Sequence, residues 1–391
     1  MNPEEFANSP SGRLVRTVLD QWAFVPNPLP PALDTNRFIN DVDRASRAMA
    51  ELKGMRYKAS NPLHLINPLQ HREAISSSNI EATYTTPSEL LLFEPDKKRG
   101  HDNPDTREVY NYIAALEHGL RRLDTLPVSS RLIRELHGVL LKGVRRHRGA
   151  AIIPGAYKRD QNFIGTPSHG IAGARFIPAP PADTDGLMSD LEKFIHSTEA
   201  RQMPPVVLNA LVHYQFETIH PFPDGNGRLG RLLVPLLLVA HDILPVPLLY
   251  ISPAIERHKD QYNDLMLDVS RKGAWEDWIC FFARMVEESA KDAMERVNKI
   301  AALRERYLQQ VRQARASALL PELIDLVFDK LSISIPDAAD HLGVTYRAAK
   351  GNVEKLIHIG QLVPLPANVR PKRFVCQELL RIIFDDDSHL A

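Results

Sequence analysis

Twelve residues near the middle of the chain, His220–Arg231 with the sequence HPFPDGNGRLGR, constrain the fold more than any other segment. They separate two apolar helical stretches. Before them, residues 206–219 place Val207, Leu211 and Tyr214 on one helix face. His220-Pro221 ends that helix, because a residue that precedes proline avoids the helical region. Asp224-Gly225-Asn226-Gly227 is a turn with two glycines, and a new helix follows it into Leu232–Ala240, the longest apolar run of the chain. Most of the remaining sequence also reads as helix with short loops, so the expected fold class is mainly α.

Composition excludes several classes. The longest apolar run is far short of the roughly 18–20 residues of a membrane span, so no membrane partner is expected. The first residues, MNPEEFANSPSGR, are acidic and carry no apolar signal core. Cys280 and Cys376 make neither a disulfide framework nor a zinc cluster, and a reducing cytoplasm is the expected location. With 48 basic and 48 acidic residues the formal charge is zero, which argues against a protein coated all over with nucleic acid. The chain has 30 prolines against 19 glycines, so many helix starts and stops are expected, and its 391 residues suggest two or three domains.

Along the chain, the expected divisions are an N-terminal helical region (1–115), a core (116–290), a connecting helix (291–318) and a small C-terminal unit (319–391). Residues 11–60 combine a proline-rich entry, FVPNPLPPAL, with a helical stretch. Asn67-Pro68 reads as an N-cap and first helical position, opening a helix through QHREAISSSNIEATY. Thr86-Pro87-Ser88-Glu89 has capping-box spacing. Helices are expected at 105–123, 129–147, 184–200 and 254–290, the last with an aromatic cluster of Trp275, Trp278, Phe281 and Phe282. Residues 151–181 have short apolar patches among Gly, Pro and Ser, the chemistry of a hairpin with two short strands and a long tip.

The chemistry concentrates in 220–231. A histidine at a helix C-terminus leaves its imidazole free to face a cleft. The glycine turn gathers N–H groups at the start of the next helix, an arrangement that binds anions. Arg228 and Arg231 are three apart, so both can face that anion. Asp224 supplies a hard oxygen ligand where phosphates would lie, the usual way Mg²⁺ is held. Together these describe a nucleotide-phosphate site.

The segment resembles the Fic family signature, His-x-Phe-x-(Asp/Glu)-Gly-Asn-Gly-Arg-x-x-Arg, with matches at His220, Phe222, Asp224, Gly225, Asn226, Gly227, Arg228 and Arg231. The resemblance implies AMP transfer from ATP to a Ser, Thr or Tyr hydroxyl of a target protein, with release of pyrophosphate. His220 would be the general base and Asp224 would hold Mg²⁺. Gly225, Asn226 and Gly227 would stabilise the α-phosphate, Arg228 and Arg231 would grip the outer phosphates, and Phe222 would anchor the loop in the core. The family also carries a β-hairpin flap that holds the target by strand pairing. Gln161, Asn162, Phe163, Ile164 and Gly165, with Arg175–Pro178, resemble its two sides. Ser77-x-x-x-Glu81 resembles the family's inhibitory motif, (Ser/Thr)-x-x-x-Glu-(Gly/Asn), whose glutamate pairs with the last arginine, here Arg231. Ala82 stands where the family prefers Gly or Asn.

The C-terminal unit reads as a helix-turn-helix followed by a wing. One helix opens at Ile335-Pro336-Asp337 and ends at Leu342-Gly343. Thr345 caps the next, and QLVPL and RFVCQ form a strand pair around ANVRPK. Residues 331–375 carry six basic and three acidic side chains, net +3. That balance leaves DNA contact through Tyr346, Arg347 and Lys350 open beside protein contact or a homodimer. The leading expectation is a self-inhibited protein adenylyltransferase. The alternatives are a relative that uses another nucleotide donor or removes AMP, and a DNA-binding regulator with a secondary Fic site.

Overall fold

The computed structural model describes residues 1–55, 63–95, 103–144, 152–165, 170–313, 317–365 and 370–384. The chain opens with an antiparallel hairpin, β1 (Gly12–Arg16) and β2 (Trp22–Pro26), in the register Gly12↔Pro26 to Arg16↔Trp22. Among the described residues twelve α-helices follow: α1 (Ile39–Gly54), α2 (Leu63–Ile80), α3 (Pro87–Leu92), α4 (Pro104–Arg122), α5 (Ser130–Leu140), α6 (Pro181–Ile195), α7 (Thr198–Gln202), α8 (Pro205–Ile219), α9 (Asn226–Ala240), α10 (Ser252–Arg257), α11 (Lys259–Lys272) and α12 (Trp275–Gln313). The C-terminal unit consists of α13 (Leu320–Lys330), β3 (Ser332–Ser334), α14 (Ile335–Leu342), α15 (Tyr346–His358), β4 (Val363–Pro364), β5 (Arg373–Val375) and α16 (Gln377–Phe384). Its three short strands pair antiparallel in the order β3-β5-β4. No described helix is long and apolar enough to cross a membrane.

Helix α8 is the axis of the core. Every residue from Val206 to Ile219 is buried, polar ones included, so the helix is enclosed by its neighbours on all sides. Those neighbours are α1, α6, α9 and α12. The aromatic cluster lies where α8 meets α11 and α12. The Trp278 indole donates to Ala210 O at 2.9 Å, and Tyr214 meets Trp275 edge-on with ring centroids 4.6 Å apart. One continuous helix, α12, carries both these aromatics and the charged stretch expected to be a separate connector, so core and C-terminal unit share a single rod. Residues 314–316, within the connector as expected, lie outside the described residues.

Helix α2 departs from expectation at both ends. It runs back to Leu63, which places Pro68 inside it rather than at its start. Pro68 supplies no N–H to the second turn. Burial of Leu65, Ile66 and Leu69 outweighs that local cost, and Asn67 is not a cap: its amide donates to Asp329 O at 3.0 Å and Oδ1 at 2.7 Å. The helix stops at Ile80, four residues short of the expected end. Midway, the buried Glu73 carboxylate fixes it. Glu73 accepts hydrogen bonds from Tyr112 Oη (2.8 Å), Ser252 Oγ (2.5 Å) and the Ser252 N–H (3.0 Å). Thr86 and Glu89 form the expected reciprocal cap of α3.

Among the described residues the expected two-stranded flap shows one bridge. Ile164 pairs with Phe176, through Ile164 N–H to Phe176 O (2.8 Å) and Phe176 N–H to Ile164 O (3.1 Å). The next hydrogen-bonded pair of such a ladder would be Asn162 with Pro178, but Pro178 has no N–H and its carbonyl accepts from the Gln161 amide at 2.9 Å, while Ile177 O faces the other way and accepts from Phe24 N–H of β2 at 2.9 Å. The flap tip 166–169, the wing tip 366–369 and the end of the helix expected at 129–147, residues 145–147, lie outside the described residues.

Candidate active site

The loop between α8 and α9 is built as a closed turn. Asn226 accepts from Phe222 N–H at 2.9 Å through its side-chain oxygen and donates to Phe222 O at 2.8 Å through its amide. The loop thus engages the amide oxygen and one of the two amide hydrogens. Phe222 is fully buried, stacked on His137 with ring centroids 3.9 Å apart and tilted against Tyr157 at 5.2 Å. Gly225 adopts φ 80°, a left-handed conformation that favours glycine. The first N–H bond within α9 is Leu229 to Gly225 O (3.0 Å), so the N–H groups of Asn226, Gly227 and Arg228 stand at the open, positive end of the helix. The Asp224 carboxylate accepts from the Gly225 N–H at 2.6 Å and keeps its second oxygen, with the side chain 30% exposed.

His220 closes α8 in a left-handed conformation, φ 51° and ψ 58°, with its N–H bonded to Phe216 O. Its Nδ1 lies 3.2 Å from Glu217 O. A carbonyl can only accept, so Nδ1 carries the proton and Nε2 presents its lone pair. Burial and the neighbouring Lys158 ammonium hold the imidazole pKa at about 4, against the opposing pull of Glu217 O, Glu81 and Asp224. The ring is thus neutral at pH 7.

Both arginines are buried and paired. Arg228, 2% exposed, donates to Glu108 of α4 at 2.5 Å. Arg231, 1% exposed, donates through Nε to Ser77 Oγ (2.9 Å) and through Nη2 to Ser77 O (2.7 Å) and Glu81 Oε1 (2.8 Å). The segment 77–81 therefore meets the arginine the sequence assigned to it, across 150 residues of chain. Glu81 also lies across the open end of α9: a Cβ on Gly227 would sit 2.1 Å from Glu81 Oε1. Burial pushes the Glu81 carboxyl up, but Arg231, Arg228 and His220 outweigh it and hold the pKa below the usual value, so Glu81 is an anion in an anion site.

The backbone explains how Glu81 gets there. Thr83 N–H bonds Ser78 O and Ala82 N–H bonds Asn79 O, both at 3.0 Å, the two bonds of a Schellman helix end. Glu81 is the last residue before the left-handed position, and Ala82, φ 58°, occupies it. The family's preference for Gly or Asn there follows from that geometry, because those side chains tolerate positive φ.

Sequence reasoning missed four supporting residues. Lys158 is 4% exposed, with its pKa lowered to about 7 by burial despite Asp183. His137 accepts from Gly155 N–H (2.8 Å) and so donates through Nε2 to Asp224 O (3.2 Å), while burial lowers its pKa to about 4. Glu108 pairs with Arg228. Glu217 is raised to about 8, chiefly by burial; Arg231 opposes this and Glu81 adds to it. Its Oε1 finds no hydrogen-bond partner among the described residues and packs where a Cβ on Gly230 would come within 2.1 Å. None of the four belongs to a spaced pattern; His137 signals itself only as a histidine beside the apolar face of Leu132, Ile133, Leu136 and Leu140. Of the expected flap residues, Ile164 makes the bridge and Phe163 packs beside Ala23, Ala174 and Ile177. Gln161 donates to Pro178 O at 2.9 Å, and Asn162 is turned toward the 220–222 backbone.

Residues 39–121 match the model described as Fic/DOC family N-terminal and residues 127–238 the one described as Fic/DOC family. A protein adenylyltransferase Fic from Aedes aegypti is 32% identical over 188 residues, covering 46% of this chain and 34% of its own. The counterpart from Culex quinquefasciatus is 33% identical over 135 residues, covering 34% of this chain and 24% of its own. The chain thus spans about a third or less of the length of these curated relatives. Among solved structures, a Fic family protein from Desulfovibrio desulfuricans G20 superposes with TM-score 0.53 at 18% identity, over 89% of this chain and 98% of that one. A Fic domain containing signaling protein from Bacteroides thetaiotaomicron VPI-5482 gives 0.52 at 22%, over 67% and 97%. At these identities the two structures establish the fold.

Proposed function

The chain belongs to the Fic/DOC family through residues 39–121 and 127–238, and from that premise we propose that it is a protein adenylyltransferase held in check by its own helix α2. The observation that carries the reaction is a neutral His220 with Nε2 unprotonated, in the loop that leads into the open N-terminus of α9. Nε2 accepts the proton of a target Ser, Thr or Tyr hydroxyl. The oxygen forms a bond to the α-phosphorus of ATP, the bond to the bridging oxygen breaks, and pyrophosphate leaves. The N–H groups of Asn226, Gly227 and Arg228 and the guanidinium groups of Arg228 and Arg231 meet the charge on the phosphates. Such preorganised donors are commonly the largest part of catalysis, while a general base contributes about 10²–10⁴-fold.

Asp224 is the residue that would hold Mg²⁺. A single carboxylate with one oxygen free suits an ion that brings phosphate and water ligands of its own; among the described residues no three or more His, Cys, Asp or Glu side chains are grouped so as to hold a metal ion. The ion, when bound, would neutralise phosphate charge.

The observation that carries the brake is the Glu81–Arg231 pair at 2.8 Å. With Glu81 over Gly227 and Arg231 engaged by Glu81 and Ser77, the carboxylate competes with phosphate for the arginine and for the helix N-terminus. The partner is a protein with an accessible hydroxyl, presented along the flap edge 161–165 by strand pairing, through backbone groups other than those of Ile164, which bond Phe176. Helix α15 exposes Tyr346, Arg347 and Lys350, the face a winged helix would lay in a DNA groove; a homodimer contact is the competing use.

The direct experiment incubates a cell lysate with α-³²P-ATP, Mg²⁺ and purified Glu81→Gly, with and without His220→Ala. Labelled protein bands that require His220 support the reading. Labelling of equal intensity from the double variant refutes the assignment of the base.

A further inference from the structure

The carbonyl oxygens of four consecutive residues, 219 to 222, are all held from one short stretch at the foot of the flap. Lys158 Nζ donates to Ile219 O at 3.2 Å, and the Lys158 N–H donates to Pro221 O at 2.9 Å. The Asn162 amide divides its two hydrogens between His220 O and Phe222 O, each at 3.0 Å. Lys158 Nζ also donates to Asn162 Oδ1 at 2.9 Å, which locks the two side chains together.

This backbone needs holding. Ile219 ends α8, where carbonyls lose their helical partners. His220 is left-handed, a conformation unfavourable for a non-glycine residue. Conformations of that kind persist only where the surroundings over-determine them. Pro221 has no N–H to contribute. Lys158 and Asn162 supply what the loop lacks. Lys158, 4% exposed, is committed to this contact, and Asn162 has both amide hydrogens and its oxygen engaged.

We propose that Lys158 and Asn162 are positioning residues for the catalytic base: they clamp the 219–222 backbone so that the His220 imidazole stays aimed at the reacting hydroxyl. The proposal rests on the reading of His220 as the base. It moves the Asn162 side chain from target docking to loop positioning, and it gives the flap a second task besides holding the target.

The test uses the full chain with Glu81→Gly as parent and one fixed protein substrate. Lys158→Met and Asn162→Ala should each lower kcat about ten- to a hundredfold, since a misplacement of about 1 Å costs about a hundredfold. KM for ATP and for the substrate should stay within about twofold. Lys158→Arg, which keeps a buried donor, should recover most of the rate. Asn162→Ala that raises KM for the protein substrate at unchanged kcat would overturn the proposal, as would a folded Lys158→Arg no more active than Lys158→Met. A second readout needs no activity. With ¹³Cε1-labelled histidine, the His220 signal, located by its loss in His220→Ala, should be single in the parent and broadened or split in Asn162→Ala and Lys158→Met. An unchanged signal refutes the clamp. If the parent itself transfers no AMP, the enzymatic reading falls and the histidine spectrum alone decides the clamp.

Discussion

Replacing Glu81 with glycine removes one side of a pair whose other side cannot leave. Arg231 is 1% exposed and keeps its bonds to the two Ser77 oxygens once the carboxylate is gone. A charge-assisted hydrogen bond contributes about 1.5–3 kcal/mol. Glu81 is 39% exposed, so solvent screening places its share at the lower end, about 1.5 kcal/mol. Phosphate no longer has to displace that bond, which predicts about tenfold more productive ATP. Clearing Oε1 from above Gly227 adds to this, so the overall gain lies between about ten- and a hundredfold. The assay is the initial rate of label transfer from α-³²P-ATP to a target at sub-saturating ATP. Arg231→Ala in the same chain should erase the gain, making the pair strongly non-additive. Equal rates for wild type and Glu81→Gly, with a competent target present, would refute the competition argument, because the 2.8 Å contact would then be without kinetic effect.

Three further outcomes follow from the same geometry. Ala82→Gly should raise stability by about 1 kcal/mol, seen as a higher Tm, and slow basal transfer, because glycine relieves the left-handed position that seats Glu81; a lower Tm would contradict the Schellman reading. Asp224→Ala should lose both turnover and its dependence on Mg²⁺, and full wild-type activity in excess EDTA would exclude the metal role. Burial holds His220 at about 4, below the ordinary 6.5, so the base form persists as pH falls. The kcat/KM of Glu81→Gly should therefore stay flat from pH 8 to about 5 and drop only toward pH 4; a midpoint near 6.5 would mean a solvated histidine.

The features legible in sequence were those with a period or a fixed spacing. The α8–α9 pair, the Thr86 cap and the 220–231 motif each repeat a local rule. Even the Glu81–Arg231 contact was readable, because both partners sit in motifs. The hairpin of GRLVR and WAFVP was not: the five-residue strands have no Asn-Gly or Asp-Gly turn between them, and they are stabilised by the Phe6, Phe24 and Phe176 cluster, which no local rule brings together. The flap ladder stops short because Pro178, opposite Asn162, has no N–H and its carbonyl is taken by the Gln161 side chain. The start of α2 was misplaced because packing against the C-terminal unit overrode a proline signal. Lys158 and His137 were invisible, as a single buried cation and a single buried imidazole obey no periodicity.

Helix α2, 18 residues and about 27 Å long at 1.5 Å per residue, is shared property. One end holds Arg231 through Ser77, with Glu81 just beyond. The other is bonded to Asp329, and α13 and α16 lie along its side. The C-terminal unit is consequently not a detachable cargo. Cutting the chain near 318 would strip a packed face from the very helix that leads to Glu81 and would leave the Asn67 amide to solvent. A truncated protein that modified its targets faster would not show that the missing unit had recruited a repressor, a DNA site or a partner. Dissection of this chain therefore calls for point substitutions on the outer face of α15, where Tyr346, Arg347 and Lys350 are exposed, rather than for deletions.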